Sequence, residues 1–436
     1  MERWTEPIDD YVVNTLWPRV SLDTILVPRR EAVTLTGTLG GWQPITIHFD
    51  GEIVPRTRDN AFKGSMFAAY PGDVVFSKID ARNGAIGIMP PSIPQAVVTP
   101  EYPVHTPDPT QIDGGFLHLL LRHSSFLGAL KQAATGTTGR KRVTPEGFLT
   151  LKVPLPPLEE QRRLVAVWEA TIAEAGHLSK DAEQDEEDAQ RAFETALDVS
   201  LPTPLPKKPI FIARFQDIEQ WSFQGLLRAT FGQGRVTSSL WPMTRLGDIG
   251  KVSYGIQKSP VNRPSAHARP YLRVANVQRG YLDLKRIKNI NIPDDDMPLY
   301  RLLPRDVLLC EGNSADLVGR GAIWNGEIPD CVHQNHILRV RIDLSVASPE
   351  YVLTAINSGF GQAYFESKAK RTTNLASINS KEVADFVLPL PPINEQQRLV
   401  RILTKACEAA SVKRQRAKQL REQARQTFES ALFAPV

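Results

Sequence analysis

The chain has 436 residues, 52 Lys and Arg against 48 Asp and Glu, a formal net charge of +4 and 42% hydrophobic residues. That length allows several domains with buried cores, the composition excludes a disordered chain, and three scattered cysteines (Cys310, Cys331, Cys407) exclude a disulfide scaffold. No apolar run reaches the roughly 18 residues that span a bilayer, and the start from Met1 to Pro7 has no signal-peptide profile, so no membrane association and a cytoplasmic location are expected.

In chain order, residues 1–152 read as a first α/β globule. Val74-Val75-Phe76 has the apolar, β-rich character of a buried strand, and Phe116–Gln132 predicts a helix. Two of its segments look built for binding. Ser77-Lys78-Ile79-Asp80-Ala81-Arg82-Asn83-Gly84 sets long donors beside a glycine turn. Thr135-Gly136-Thr137-Thr138-Gly139-Arg140-Lys141-Arg142 is a Gly/Thr loop running into three bases. Amides and hydroxyls of such loops suit phosphate oxygens, and the bases add affinity by counterion release.

Pro156-Pro157 stops the run before it, and from Leu158 to about Val199 a proline-free stretch rich in Ala, Glu and Gln predicts a long helix within residues 153–200. A proline-rich connector, 201–209, follows. Residues 210–387 read as a second globule, with a strand at Val307-Leu308-Leu309 and a helix over Tyr351–Ser367. Its candidate binding residues are Tyr254, Gln257, Lys258, Arg263, Arg269, Arg273, Asn276 and Gln278, with Lys368, Lys370, Arg371, Thr372, Thr373 and Asn374 in a second basic loop. Arg, Lys, Asn and Gln are the side chains that read guanine and adenine edges in a major groove, although each taken alone reads equally well as surface charge. Within residues 388–436 a second long helix is predicted from Ile393 to about Phe433.

An internal repeat organises all of this. Val153-Pro154-Leu155-Pro156-Pro157-Leu158-Glu159-Glu160-Gln161 returns, 235 positions later, as Leu388-Pro389-Leu390-Pro391-Pro392-Ile393-Asn394-Glu395-Gln396. The same offset aligns Phe193-Glu194-Thr195-Ala196-Leu197 with Phe428-Glu429-Ser430-Ala431-Leu432. Upstream the match weakens to Pro71-Gly72-Asp73 facing Pro304-Arg305-Asp306 and Leu16-Trp17-Pro18 facing Leu240-Trp241-Pro242. The chain is one unit written twice. Along the first helix Leu164, Trp168, Ala175, Leu178, Ala182, Ala189, Ala192 and Ala196, and along the second Leu399, Ala406, Ala410, Ala417, Leu420 and Ala424, recur at coiled-coil spacing, with small residues that allow close approach. Residues 158–200 hold twelve acids and four bases, −8, and residues 393–433 four acids and nine bases, +5. Opposite charge makes the two helices natural partners, and it leaves +7 for the remainder of the chain.

Several chemistries are missing. Gly247-Asp248-Ile249-Gly250-Lys251 lacks the glycine and hydroxyl of a phosphate loop, and no Asn/Asp-Pro-Pro-aromatic motif of amino methyltransferases occurs. Cys331-Val332-His333-Gln334-Asn335-His336 is the one metal-like cluster, and reads as a strand with polar contacts because position 336 faces away from 331 and 333. Glu366-Ser367-Lys368 reads as a surface helix end rather than a nuclease motif.

Together the repeat, the Pro-Leu-Pro-Pro-(Leu/Ile)-x-Glu-Gln starts at 154–161 and 389–396, the helix ends at 193–197 and 428–432, and the segments 76–84 and 271–281 resemble the specificity subunit of type I restriction–modification systems. The resemblance covers essentially the whole chain. It implies two α/β target recognition domains separated by two long antiparallel coiled-coil helices with pseudo-twofold symmetry. Each domain would read one half of a bipartite double-stranded DNA site, and the helix pair would set the spacer and dock two methyltransferase (modification) subunits. A restriction subunit would add ATP-driven translocation and cleavage. On this reading the chain has no catalytic residue and binds no metal or cofactor, S-adenosylmethionine, ATP and Mg belonging to the partner subunits. Lys78, Arg82, Lys258 and Arg273 would lie near bases, Arg140, Lys141, Lys370 and Arg371 would contact phosphates, and Asn83, Thr137, Thr138, Tyr254, Gln257, Asn276 and Thr372 are further candidate DNA-binding residues. A methylation-only complex, or a coiled-coil scaffold that binds no DNA, remain as alternatives.

Overall fold

The computed structural model describes residues 16–35, 39–57, 65–134, 141–200, 236–260, 263–264, 267–313, 317–371 and 376–433. The connector 201–209 lies outside the described residues. The chain divides into two compact units, residues 1–179 with 414–436 and residues 180–413, so each unit takes half of each long helix.

The first unit is built on a four-stranded antiparallel sheet in the order Leu26–Arg29, Val104–Pro107, Val74–Phe76, Ile86–Ile88. Val74, Val75 and Phe76 are 0% exposed, the continuous apolar run of a strand covered on both faces. On one side lie Phe116, Leu117, Leu120, Phe126 and Leu130 with Phe148 and Leu22. On the other, Val75 and Val104 join a five-stranded sheet in the order Ala32–Val33, Met66–Ala69, Ala96–Val98, Gln43–Ile47, Ile53–Pro55.

The second unit repeats the four-stranded sheet with the same connectivity: Gly250–Tyr254, Ile337–Ile342, Asp306–Cys310, Gly321–Trp324. In both units the strand entering the body (Arg19–Ser21, Met243–Arg245) pairs with the one before the proline pair (Lys152–Pro154, Val387–Pro389). The helices expected over Phe116–Gln132 and Tyr351–Ser367 are each two. Gly114–Arg122 and Ser124–Ala133 break at His123 (ψ 141°), and Pro349–Asn357 and Gly359–Lys368 break at Ser358 (ψ 170°). An extended residue cannot continue the helical ladder, and both breakers cap the following helix, accepting from Ser125 N and Gly361 N. Glu366-Ser367-Lys368 is indeed a helix end.

The long helices run Leu158–Ala196 and Ile393–Leu432, 39 and 40 residues. They are antiparallel in each unit. In the first, Trp168 meets Phe428 with ring centroids 6.1 Å apart, Ala175 closes against Ala417 and Leu420, and Arg421 donates to Ser179 Oγ at 3.0 Å. In the second, Lys413 Nζ bonds Asp185 Oδ2 at 2.6 Å. Leu164, Ala175, Ala182, Leu399, Ala410, Ala417, Leu420 and Ala424 are buried as the spacing predicts, but Ala192 is exposed and its neighbour Phe193 is buried instead, against Tyr351 of the second body.

Repeat-related side chains anchor these helices. Gln161 Oε1 accepts from Asp113 N, and its Nε2 donates to Gln111 O and Pro156 O. Gln396 does the same with Ser348 N, Val346 O and Pro391 O. Each helix therefore starts locked to the body that precedes it, and both glutamines are 0% exposed. The far ends are exchanged: Trp17 Nε1 donates to Ala431 O at 2.8 Å, and Trp241 Nε1 donates to Ala196 O at 3.0 Å. The body that begins with Trp17 is thus completed by the end of the second helix, and the body that begins with Trp241 by the end of the first.

Candidate nucleic-acid interface

In the first body the donor-rich turn follows directly from strand Val74–Phe76. Ala81 N bonds Ser77 O, Gly84 N bonds Ala81 O and Ala85 N bonds Asp80 O, closing a tight turn whose last residue, Gly84, has φ 102°. A Cβ at Gly84 would lie 2.1 Å from Phe49 O, so glycine is required both by conformation and by space. Arg122 clamps the turn from below, donating to Gly84 O at 2.8 Å, Ile86 O at 3.1 Å and Phe49 O at 2.8 Å. Burial pushes this guanidinium below its ordinary range, against the opposing pull of Asp50. Sequence reasoning missed Arg122, whose signal is only a cation at the end of an apolar helix. Gly84→Ala is expected to destabilise the protein by about 2–3 kcal/mol in urea unfolding; an unchanged midpoint would mean that the turn relaxes freely.

On this frame Lys78 and Arg82 are half-buried and Asn83 is exposed. Asn83 Nδ2 donates to Asp80 Oδ1 at 3.2 Å. Among the described residues, Arg82 Nε is buried with no hydrogen-bond acceptor. The backbone brings the basic loop's end to the same place. Val143 N bonds Lys78 O at 2.8 Å, Lys78 N bonds Glu101 O at 3.0 Å, and the Arg142 guanidinium pairs with the Glu101 carboxylate at 3.1 Å. Lys141 is exposed beside them. Thr137, Thr138 and Arg140 lie outside the described residues.

The second body repeats the backbone arrangement with other side chains. Ile378 N bonds Glu311 O at 2.9 Å, and Glu311 N bonds His336 O at 2.9 Å. Next to them, strand Lys370–Arg371 pairs with Ala376–Ser377, which pairs with Gly312–Asn313. The side chains of Lys370 and Arg371, and all of Thr372, lie outside the described residues. Gln257 and Lys258 are exposed. Tyr254 is 40% exposed, and its hydroxyl accepts from Ser380 N at 3.0 Å.

Asn276 needs correcting. It is 3% exposed, its Oδ1 accepts from Arg273 N, and its Nδ2 donates to Asp283 O and Arg286 O. It holds a loop together and has no reach to a base edge. Arg273 donates to Arg286 O at 2.9 Å and is half-buried. Several neighbouring cations are structural as well: Arg320 donates to Val277 O, Arg339 to Arg301 O, and Arg269 to the Asp294 carboxylate.

The Cys331–His336 run separates in space. Cys331 is 1% exposed, with its thiol pushed up to about 12 by burial, and His333 is 0% exposed, pushed down to about 3 by burial and by Arg339. His336 turns to the surface, its Nδ1 2.6 Å from Glu311 Oε2. Among the described residues no group of three or more His, Cys, Asp or Glu side chains could hold a metal ion, and no helix is long and apolar enough to cross a membrane.

No family model matches the chain. It is 27% identical over 165 residues to a protein of Methanocaldococcus jannaschii named as the MjaX specificity subunit of a type I restriction enzyme, covering 38% of this chain and 39% of that one. It is 20% identical over 293 residues to the EcoKI specificity subunit of Escherichia coli, covering 66% and 58%. With the StySPI specificity subunit of Salmonella potsdam it shares 22% identity over 290 residues, covering 64% and 55%. The chain thus spans between about two fifths and three fifths of the length of the curated relatives it matches. Among solved structures, a chain from work on complex assembly and conformational transition of the type I R-M system superposes with a TM-score of 0.60 at 18% identity, over 97% of this chain and 98% of the other. The HsdS subunit of Thermoanaerobacter tengcongensis superposes with a TM-score of 0.50 at 18% identity, over 96% and 97%.

Proposed function

We propose that this relative of type I restriction enzyme specificity subunits is the DNA-reading subunit of a type I restriction–modification complex. Each body reads one half of a bipartite double-stranded site, and the antiparallel helix pair sets the unread spacer and docks two methyltransferase subunits. The observation that carries this reading is the duplicated body. One connectivity occurs twice, Lys78 and Glu311 take the same backbone bonds in the two copies, and each copy is completed by the end of the other copy's long helix. Half-sites one helical turn apart lie about 34 Å from each other on DNA, and a 39-residue helix at 1.5 Å per residue, about 60 Å, is long enough to span them. The chain itself does no chemistry. S-adenosylmethionine belongs to the modification subunits and ATP with Mg to a restriction subunit where one joins, and the complex works in the cytoplasm.

The bodies differ in the side chains they present, so the two half-sites differ in sequence. Mapping methylated adenines in cells with and without the chain tests this. Its loss is expected to erase methylation at one motif of two specific blocks around a fixed unspecified spacer, and an unchanged methylation map overturns the reading. Within that frame Lys141→Ala is expected to weaken binding to all sequences alike and to reduce the salt slope by about 1. A changed sequence preference with an unchanged slope would place Lys141 at a base instead.

A further inference from the structure

The two bodies carry opposite charge at one repeated position. Lys78 and Glu311 occupy the same place, each giving its carbonyl to a residue just after the basic loop (Val143 N, Ile378 N) and its amide to the residue that faces it (Glu101 O, His336 O). In the first body the facing residue is an acid held by Arg142, and among the described residues no carboxylate lies within ion-pair distance of Lys78. In the second body the central residue is the acid. His336 Nδ1 engages Glu311 Oε2 at 2.6 Å, and Oε1 has no donor among the described residues.

Glu311 lies beside strand Lys370–Arg371, and on the DNA-reading function a carboxylate there is repelled by phosphates, so the place where its Oε1 gains is a donor on a base. DNA offers one: the exocyclic amino groups of cytosine N4 and adenine N6 are donors in the major groove, whereas guanine and thymine show acceptors there. We propose that Glu311 is a specificity-determining residue of the second body, accepting through Oε1 from a base that presents an exposed amino group. His336 is its positioning residue, and Lys78 is its counterpart in the first body, donating to guanine. This rests on the DNA-reading function proposed above. The repulsive side matters as much as the attractive one, since a fixed carboxylate penalises guanine O6 and thymine O4 at the same position.

The test is selection of bound duplexes from a randomised library by the full chain with the subunits that copurify with it, followed by sequencing. The wild-type chain is expected to enrich two blocks. Glu311→Ala, which removes the acceptor, should lower the preference for adenine or cytosine at one position of one block by about tenfold or more, and leave the other block and the salt slope unchanged. Glu311→Lys should shift that position to guanine, His336→Gln should blur it without shifting it, and Lys78→Gln should relax a position in the opposite block. Identical motifs from the wild-type and Glu311→Ala chains, or a loss of affinity uniform over all sequences, overturn the assignment while the function stands. A wild-type chain that enriches no sequence overturns both.

Discussion

Asp73→Ala is expected to destabilise the first unit, and Asp306→Ala the second, by about 3–5 kcal/mol each. Both carboxylates are 1% exposed. Asp73 accepts from Tyr70 N at 2.8 Å, Thr106 Oγ1 at 2.8 Å and both arms of Arg29; Asp306 accepts from Leu303 N at 2.7 Å and both arms of Arg341. The repeat preserves the acid and its bond to the turn three residues earlier, but draws the arginine from a different strand of the sheet in each copy. Removing the acid leaves a backbone amide without its acceptor at the start of a central strand and a guanidinium without its counter-charge. Arg29 retains Glu31 at 3.6 Å and the Tyr70 ring at 5.0 Å, which places the first unit toward the lower end of the range. Amide hydrogen exchange distinguishes the units. Asp73→Ala should speed exchange in Val74–Phe76 and Val104–Pro107 about a hundredfold or more and spare Asp306–Cys310, with the reverse for Asp306→Ala. Equal acceleration in both units, or none, would show that these acids are not local keystones.

The repeat made much of the architecture legible. Proline pairs mark where each long helix begins, the alanine spacing marks which faces meet, and Pro71-Gly72-Asp73 against Pro304-Arg305-Asp306 correctly aligns two turns and two buried acids. What the repeat could not reveal is exchange. An offset relates Ala196 to Ala431, but only the fold shows that Trp17 binds the latter and Trp241 the former. The breaks at His123 and Ser358 were overridden by helical periodicity, although Ser358-Gly359 carries a capping signal. Side-chain chemistry was the weakest guide to the candidate interface. Asn276 has the right type for reading adenine and spends it on three backbone groups, and Arg273 spends an arm on the carbonyl of Arg286. Residue type says what a group can bond, and burial decides whether the partner is the chain itself.

Acid is expected to loosen the first unit chiefly through His105, with His118, also pushed down by burial, adding in the same direction. His105 is 1% exposed, stacks on Phe76 with centroids 5.9 Å apart, and lies 5.3 Å from Phe148. Neither ring nitrogen has a hydrogen-bond partner among the described residues, and burial pushes the imidazole down from 6.5 to about 4, against the upward pull of Asp73. The folded state therefore holds it neutral where the unfolded chain already takes up a proton. Stability is full above about pH 6.5 and falls with pH until the folded group titrates near 4, a loss on the order of 3 kcal/mol from this residue. His105→Leu should remove that dependence and keep the packing between the two rings. Unfolding followed in the strands of the first unit at pH 7, 5.5 and 4.5 checks it. The carboxylates titrate in both proteins, so the difference between wild type and variant isolates the histidine. The variant should gain on the wild type steadily across that window, and parallel curves would mean that His105 takes up its proton while folded. Because Asp73 raises the same imidazole, Asp73→Ala should extend the acid-sensitive window further downward, a coupling that a double variant with His105→Leu would abolish.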